Sequence, residues 1–296
     1  MNRRLLLVLA AATGLGACAD VGYGPPPAPP LVPVRRSEDA RPLRVLFVGN
    51  SLTFYNDLPA RTAEMAVQDT LLRYPDLRAV VRPGYSLRQH WFLGEARDSL
   101  LASRWDYVVL QEGSASILQA PETTTAYVAR FDSLARTRGV RTVLYLTWTY
   151  GELPLAAQDS VTQAYVAMAN GLQALLAPVG IAWKQVRQLR PDLSLYLPDS
   201  IHPSPVGTYL AACTFVGTLY RRTPQGLAGL AAVGDTNTVF LDSATAALLQ
   251  QTAWTATLPF LPALENATGA VVRSNDGPRT PKLGALRQAT VTSLQR

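Results

Sequence analysis

The chain has 296 residues, 48% of them apolar, and a formal net charge of +6. That length admits one large α/β domain or two small ones, and the apolar share is ample for a sizeable core. The positive charge is almost all arginine, scattered along the chain with Lys184 and Lys282 as the lysines, and no basic run interleaved with aromatic residues suggests a nucleic-acid groove.

Residues 1–17 read as a targeting segment. Arg3 and Arg4 form a positive head, and the apolar run from Leu5 to Ala12 is too short to span a bilayer. Removal of this segment takes the charge from +6 to +4. The stretch Leu15-Gly16-Ala17-Cys18 resembles the bacterial lipobox, and the resemblance implies a lipidated Cys18 that anchors the mature chain in a bacterial cell-envelope membrane. Simple secretion with cleavage near Ala17 and a twin-arginine signal are the alternatives. Residues 18–42 follow as a linker whose Pro25-Pro26-Pro27-Ala28-Pro29-Pro30 run favours extended polyproline geometry. Such a segment either holds a domain off the membrane surface or is a leader with no spacing role.

From Leu43 short apolar runs alternate with longer amphipathic segments. Strands are expected at Arg44–Val48, Ala79–Arg82, Asp106–Leu110, Arg141–Leu146 and Ile181–Gln185. Helices are expected at Leu58–Leu72, Leu87–Leu101, Thr123–Thr137, Ala157–Leu176, Pro205–Tyr220 and Ser243–Ala256. This alternation predicts a mostly parallel five-stranded sheet covered on both faces, a three-layer α/β/α sandwich within residues 43–263. Residues 264–296 lose the periodicity and read as a poorly ordered tail; the Asn266-Ala267-Thr268 sequon there is discounted for a bacterial chain. Cys213 lies in the apolar run Tyr209–Leu219 and is expected to be a buried small hydrophobe. With two cysteines and two histidines, neither a disulfide framework nor a protein zinc site is expected, and no metal or other cofactor is implied.

Two short segments carry the chemistry. Gly49-Asn50-Ser51-Leu52 follows the first strand, so Ser51 stands where a strand ends and a turn begins. Asp199-Ser200-Ile201-His202 lies far downstream, with an Asp three residues before one of only two histidines. Together they supply a nucleophile, a base and a carboxylate to orient the base. In a parallel α/β sheet, ligands bind at the carboxyl ends of the strands. Pro83-Gly84-Tyr85-Ser86, Gln111-Glu112-Gly113-Ser114, Trp148 and Tyr150 fall on that same rim.

These blocks resemble those of the SGNH (GDSL-like) hydrolases over roughly residues 43–258, a family of flavodoxin-like architecture. The resemblance implies a serine esterase with Ser51 as nucleophile, His202 as base and Asp199 as its carboxylate. It also implies an oxyanion hole from the backbone of Ser51 and Gly84. The third block departs: where the family presents an Asn, this chain has Gln111, expected to donate through the same amide on a longer arm, the alternative being a strand-end residue that caps loose backbone groups. Asn50, Glu112, Trp148 and Tyr150 are candidate substrate contacts. For Glu112 the alternative is a solvated loop acid, for Trp148 and Tyr150 rim packing, and His90 reads as a packing or surface residue of a helix. The G-x-S-x-G elbow of the α/β-hydrolase fold is absent. The expected partner is a small-molecule or glycan ester, with carbohydrate O-deacetylation implied by analogy. A non-catalytic glycan-binding lipoprotein and a lipase or thioesterase with a longer acyl substrate are the rival readings.

Overall fold

The computed structural model describes residues 41–114, 116–233 and 237–262. The targeting segment, Cys18, nearly all of the linker and the tail lie outside them. In chain order, β1 (Leu43–Gly49) leads into the one-turn α1 (Ser51–Phe54), a 3₁₀ turn at Tyr55–Asp57 and α2 (Leu58–Ala66). Then come β2 (Pro75–Val81), α3 (Leu87–Leu93), α4 (Glu95–Ala102), β3 (Tyr107–Leu110), α5 (Ser116–Gln119) and α6 (Pro121–Thr137). The second half holds β4 (Arg141–Tyr145), α7 (Ala157–Leu172), β5 (Leu175–Ala177), α8 (Val179–Leu189) and α9 (Pro205–Tyr220). A hairpin of β6 (Leu230–Val233) and β7 (Asn237–Phe240), then α10 (Ser243–Thr257) and a 3₁₀ turn at Leu258–Phe260, complete the order.

Strands β1 to β5 form one sheet in the order β2-β1-β3-β4-β5, every pair parallel. Successive side chains of a strand point to opposite faces. Val45 and Phe47 of β1 therefore join one core with Val109, Tyr145, Trp183 and Phe215, while Leu46 and Val48 join the other with Leu110, Leu144, Phe131 and Tyr165. Burial on both faces is why β1, β3 and β4 read as largely apolar runs, whereas the edge strand β2 carries Asp76 and Arg78 and leaves Arg78 and Ala79 exposed. The expected three-layer α/β/α sandwich is the observed one. The chain leaves β1 toward β2 on one side and returns to β3 on the other, so the carboxyl end of β1 is the switch point at which such sheets open a crevice.

Several boundaries differ from expectation. Ile181–Gln185 is not a strand but part of α8, where Val179, Ala182, Trp183 and Val186 are buried at helical spacing. The fifth strand is instead Leu175–Ala177, overlapping the end of the helix expected over Ala157–Leu176: Gln173 caps α7 in a left-handed conformation, φ 51°. The helix expected over Leu87–Leu101 breaks into α3 and α4 at Gly94, whose φ of 92° excludes a helical continuation. The helix expected to reach Leu72 stops at Ala66, and Asp69 Oδ1 then accepts the Leu71 N–H at 3.0 Å in a local turn that competes with the helix. Cys213 is fully buried in α9, as expected, and burial pushes its thiol pKa up.

Candidate active site

Asn50 makes the turn from β1 into α1. Its backbone is extended and its Oδ1 accepts the Leu52 N–H at 3.1 Å, the ordinary helix N-cap, which sets Ser51 at the first helical position. Gln111, at the end of β3, locks this turn from behind. Its Oε1 accepts from the Asn50 N–H at 2.7 Å and the Thr53 hydroxyl at 2.9 Å. Its Nε2 donates to Asn50 Oδ1 at 2.9 Å and to the Glu112 carbonyl at 3.0 Å. A Cβ on Gly49 would stand 2.4 Å from Gln111 Oε1, so the glycine of the first block makes room for this amide. The expectation that Gln111 donates to an oxyanion is thereby corrected: an amide has two hydrogens, and both are committed inside the protein.

Asn50 and Glu112 are likewise turned inward rather than toward a substrate. Asn50 Nδ2 donates to the Tyr85 carbonyl at 3.1 Å, drawing the loop after β2 against the serine turn. Glu112 is buried, and its two oxygens accept the N–H groups of Leu87 and Gly113 at 2.9 Å each. It clasps the start of α3 to the loop after β3, and burial raises its pKa. His90 is buried too; its Nε2–H donates to the Gly49 carbonyl at 2.8 Å, and burial lowers its pKa, so it stays neutral behind the turn. Gly84 sits at φ 73° in a turn closed by the Tyr85 N–H on the Arg82 carbonyl at 3.1 Å, with Pro83 before it. A type II turn requires that positive φ, which favours glycine.

The second block lies on the loop between α8 and α9. Asp199 Oδ1 accepts the N–H groups of Ile201 and His202 at 2.9 Å each, which bends the loop back on itself through Ser200 at φ 58°. That leaves Asp199 Oδ2 2.6 Å from His202 Nδ1, while His202 Nε2 lies 2.9 Å from Ser51 Oγ. Ser51, His202 and Asp199 thus form one hydrogen-bonded line. The bond from His202, with the two backbone donors, holds the Asp199 pKa at about 2, so it is ionised at neutral pH and fixes the imidazole tautomer with Nε2 free to accept.

Three residues brace this loop. Tyr55 stacks on the His202 ring, centroids 4.2 Å apart and planes 21° apart. Asn56, at φ 54°, donates through Nδ2 to the Pro203 carbonyl at 3.0 Å and to Thr208 Oγ1 at 2.8 Å. Trp148 is buried against Trp183, centroids 3.8 Å apart, and its indole N–H donates to the Ile201 carbonyl at 3.0 Å. Trp148 is therefore a support of the loop rather than a wall for substrate, a second correction. Tyr55 and Asn56 were missed by sequence reasoning. A usable signal was present: Tyr55 follows Ser51 by four residues, one helical turn, and Asn tolerates a left-handed backbone better than most residues. Tyr150 stays partly exposed on the rim, beside Gly151, whose N–H binds the Ser200 carbonyl at 2.7 Å; Phe54 is also exposed.

The sheet order, the serine turn at the switch point and the late Asp-x-x-His loop together define the fold of the SGNH hydrolases. Solved structures agree. A protein of Slackia heliotrinireducens described as an SGNH hydrolase is 28% identical with a TM-score of 0.51, over 60% of this chain and 100% of its own. A DUF4886 family protein from Bacteroides uniformis superposes with a TM-score of 0.57 at 19% identity, over 76% of this chain and 98% of its own. Neither a family sequence profile nor a curated protein matches the chain. The likeness supports a hydrolase of this fold.

Proposed function

We propose that this chain is an exported serine esterase, with Ser51 as nucleophile, His202 as general base and then acid, and Asp199 as the carboxylate that orients His202. The observation that carries this reading is the continuous line from Asp199 Oδ2 through both ring nitrogens of His202 to Ser51 Oγ, with steps of 2.6 and 2.9 Å. In the first half-reaction Ser51 Oγ bonds to the ester carbonyl carbon and its proton passes to His202 Nε2. The tetrahedral oxyanion is met by backbone N–H groups: that of Ser51, which has no acceptor within α1, and that of Gly84. The C–O bond to the alcohol then breaks, and His202 returns the proton to the leaving oxygen. Water attacks the acyl-serine by the same route and releases the acid.

Gln111, Glu112, His90 and Asn50 have a different part in this reading: they hold the serine turn rigid. Phe54, on the same helical turn as Ser51, and Tyr150, next to the Gly151 that binds the Ser200 carbonyl, are exposed aromatic residues suited to a sugar ring or a short acyl chain. Carbohydrate O-deacetylation is the substrate class we favour, by resemblance to the family. Lipidation of Cys18 and residence in the cell envelope complete the proposal and rest on the lipobox-like segment. Hydrolysis of p-nitrophenyl esters from acetate to laurate tests the reaction class. Turnover that falls as the acyl chain lengthens supports a short-acyl esterase, whereas turnover that rises with length favours the lipase or thioesterase reading. No turnover on any ester overturns the enzyme reading.

A further inference from the structure

The arginines that look scattered in the sequence are gathered by the fold at the pole opposite the candidate active site. The amino ends of β1, β3 and β4 open on a cavity of about 700 Å³ lined by Arg41, Arg73, Arg104, Arg138 and Arg141, with Asp106 as the acid in its wall. Asp106 pairs with Arg41 and Arg73 at 3.0 and 3.2 Å. Arg104, Arg138 and Arg141 are exposed, and no carboxylate pairs with them among the described residues. Arg104 and Arg138 come from different loops, those before β3 and β4, so the cations form a face rather than one fork closing on one anion.

The position of this face matters as much as its charge. It lies where the chain from Cys18 enters the domain, at Arg41 and Leu43. With Cys18 anchored as proposed above, the 22 residues 19–40 can place the domain at most on the order of 80 Å from the membrane, so the pole is kept at high effective concentration beside it. No described helix is long and apolar enough to cross a membrane, so any contact is peripheral. We propose that this basic pole docks on the anionic phospholipid headgroups of the membrane, turning the carboxyl ends of the strands, and the Ser51 site, outward. The arginines supply the binding and Cys18 only the proximity, so the proposal can be tested without the lipid.

The test uses the chain from residue 18 with Cys18→Ser and sedimentation with phosphatidylcholine vesicles, plain or carrying about one-third phosphatidylglycerol. At low salt the protein should pellet with the anionic vesicles and not with the plain ones, and about 0.5 M NaCl should release it. The triple variant R104Q/R138Q/R141Q should lose about fivefold in partitioning per charge, about a hundredfold in all, with unchanged thermal unfolding and ester hydrolysis. Equal binding to plain vesicles, or full binding by a folded triple variant, would overturn the proposal. So would release of the wild-type chain by a few millimolar inorganic phosphate at constant ionic strength, since that marks a pocket for a single free anion. If the triple variant does not fold, R104Q/R138Q, which leaves Arg141 over the Tyr107 ring, should still lose about 25-fold.

Discussion

Ser51 and His202 are 151 residues apart in sequence, yet their side chains meet at 2.9 Å because each is held by its own short-range geometry. Asn50 caps the turn that presents the serine, and Asp199 folds the loop that presents the base. Those two devices are local, and local devices can be read from a sequence: G-N-S-L after a strand, D-x-x-H in a loop. Gln111 shows the limit. Its residue type and strand-end position suit an oxyanion donor, but whether its amide faces the cleft or the Asn50 turn is settled by tertiary contacts. The structure points it inward, and this has a measurable consequence. Gln111→Ala removes four hydrogen bonds and leaves the buried Asn50 N–H unpaired, so it should lower stability by about 3 kcal/mol as well as kcat. A donor that faced substrate would instead lower kcat with an unchanged denaturation midpoint.

At the scale of elements, the site is two loops clamped together. The serine turn is buttressed by β3 through Gln111 and by α3 through His90; the base loop is held by Trp148 after β4 and by Asn56 after α1. Trp148→Phe keeps the packing against Trp183 but loses the bond to the Ile201 carbonyl. It should lower kcat about tenfold, the rate equivalent of about 1.4 kcal/mol, with little change in KM for a short ester. A raised KM with normal kcat would mean that Trp148 touches substrate after all. Element boundaries were the least legible part of the fold. Leu175–Ala177 has three residues, too few for a period of two to show against a preceding helix. Ile181–Gln185 reads as a strand because the buried face of α8 around it, Val179, Ala182, Trp183 and Val186, is as apolar as a strand. Gly94 was visible as a glycine, but a glycine inside a helical pattern does not declare a positive φ.

At the scale of the whole molecule, the layered architecture was legible because the central strands of a parallel sheet, buried on both faces, read as largely apolar runs. The pole-to-pole arrangement was not: arginines from four separate segments meet only in the fold. Stability should also depend on pH through a residue of the core. His90 is held neutral, its pKa below the ordinary value of 6.5 because burial disfavours the cation. As pH falls below about 6.5 the unfolded chain takes up this proton and the folded one does not, so His90 makes stability decline on acidification. Glu112 acts in the opposite sense, since its raised pKa lets the folded state keep a proton that the unfolded state releases above about 4.5. His90→Gln should flatten the decline between pH 6.5 and the folded-state pKa in chemical denaturation; an unchanged slope would mean that His90 is not its source.

The central claim, that Ser51 is a nucleophile activated by His202 and Asp199, is tested most directly by covalent labelling. A fluorophosphonate reacts with an activated serine by forming an O–P bond and expelling fluoride. Intact mass should rise by one phosphonyl group, and peptide mapping should place it on Ser51. Ser51→Ala should take no label and lose ester turnover by about 10⁶ in kcat while unfolding at the same temperature as the parent. An adduct on another serine, or sustained turnover by a folded Ser51→Ala chain, would contradict the account.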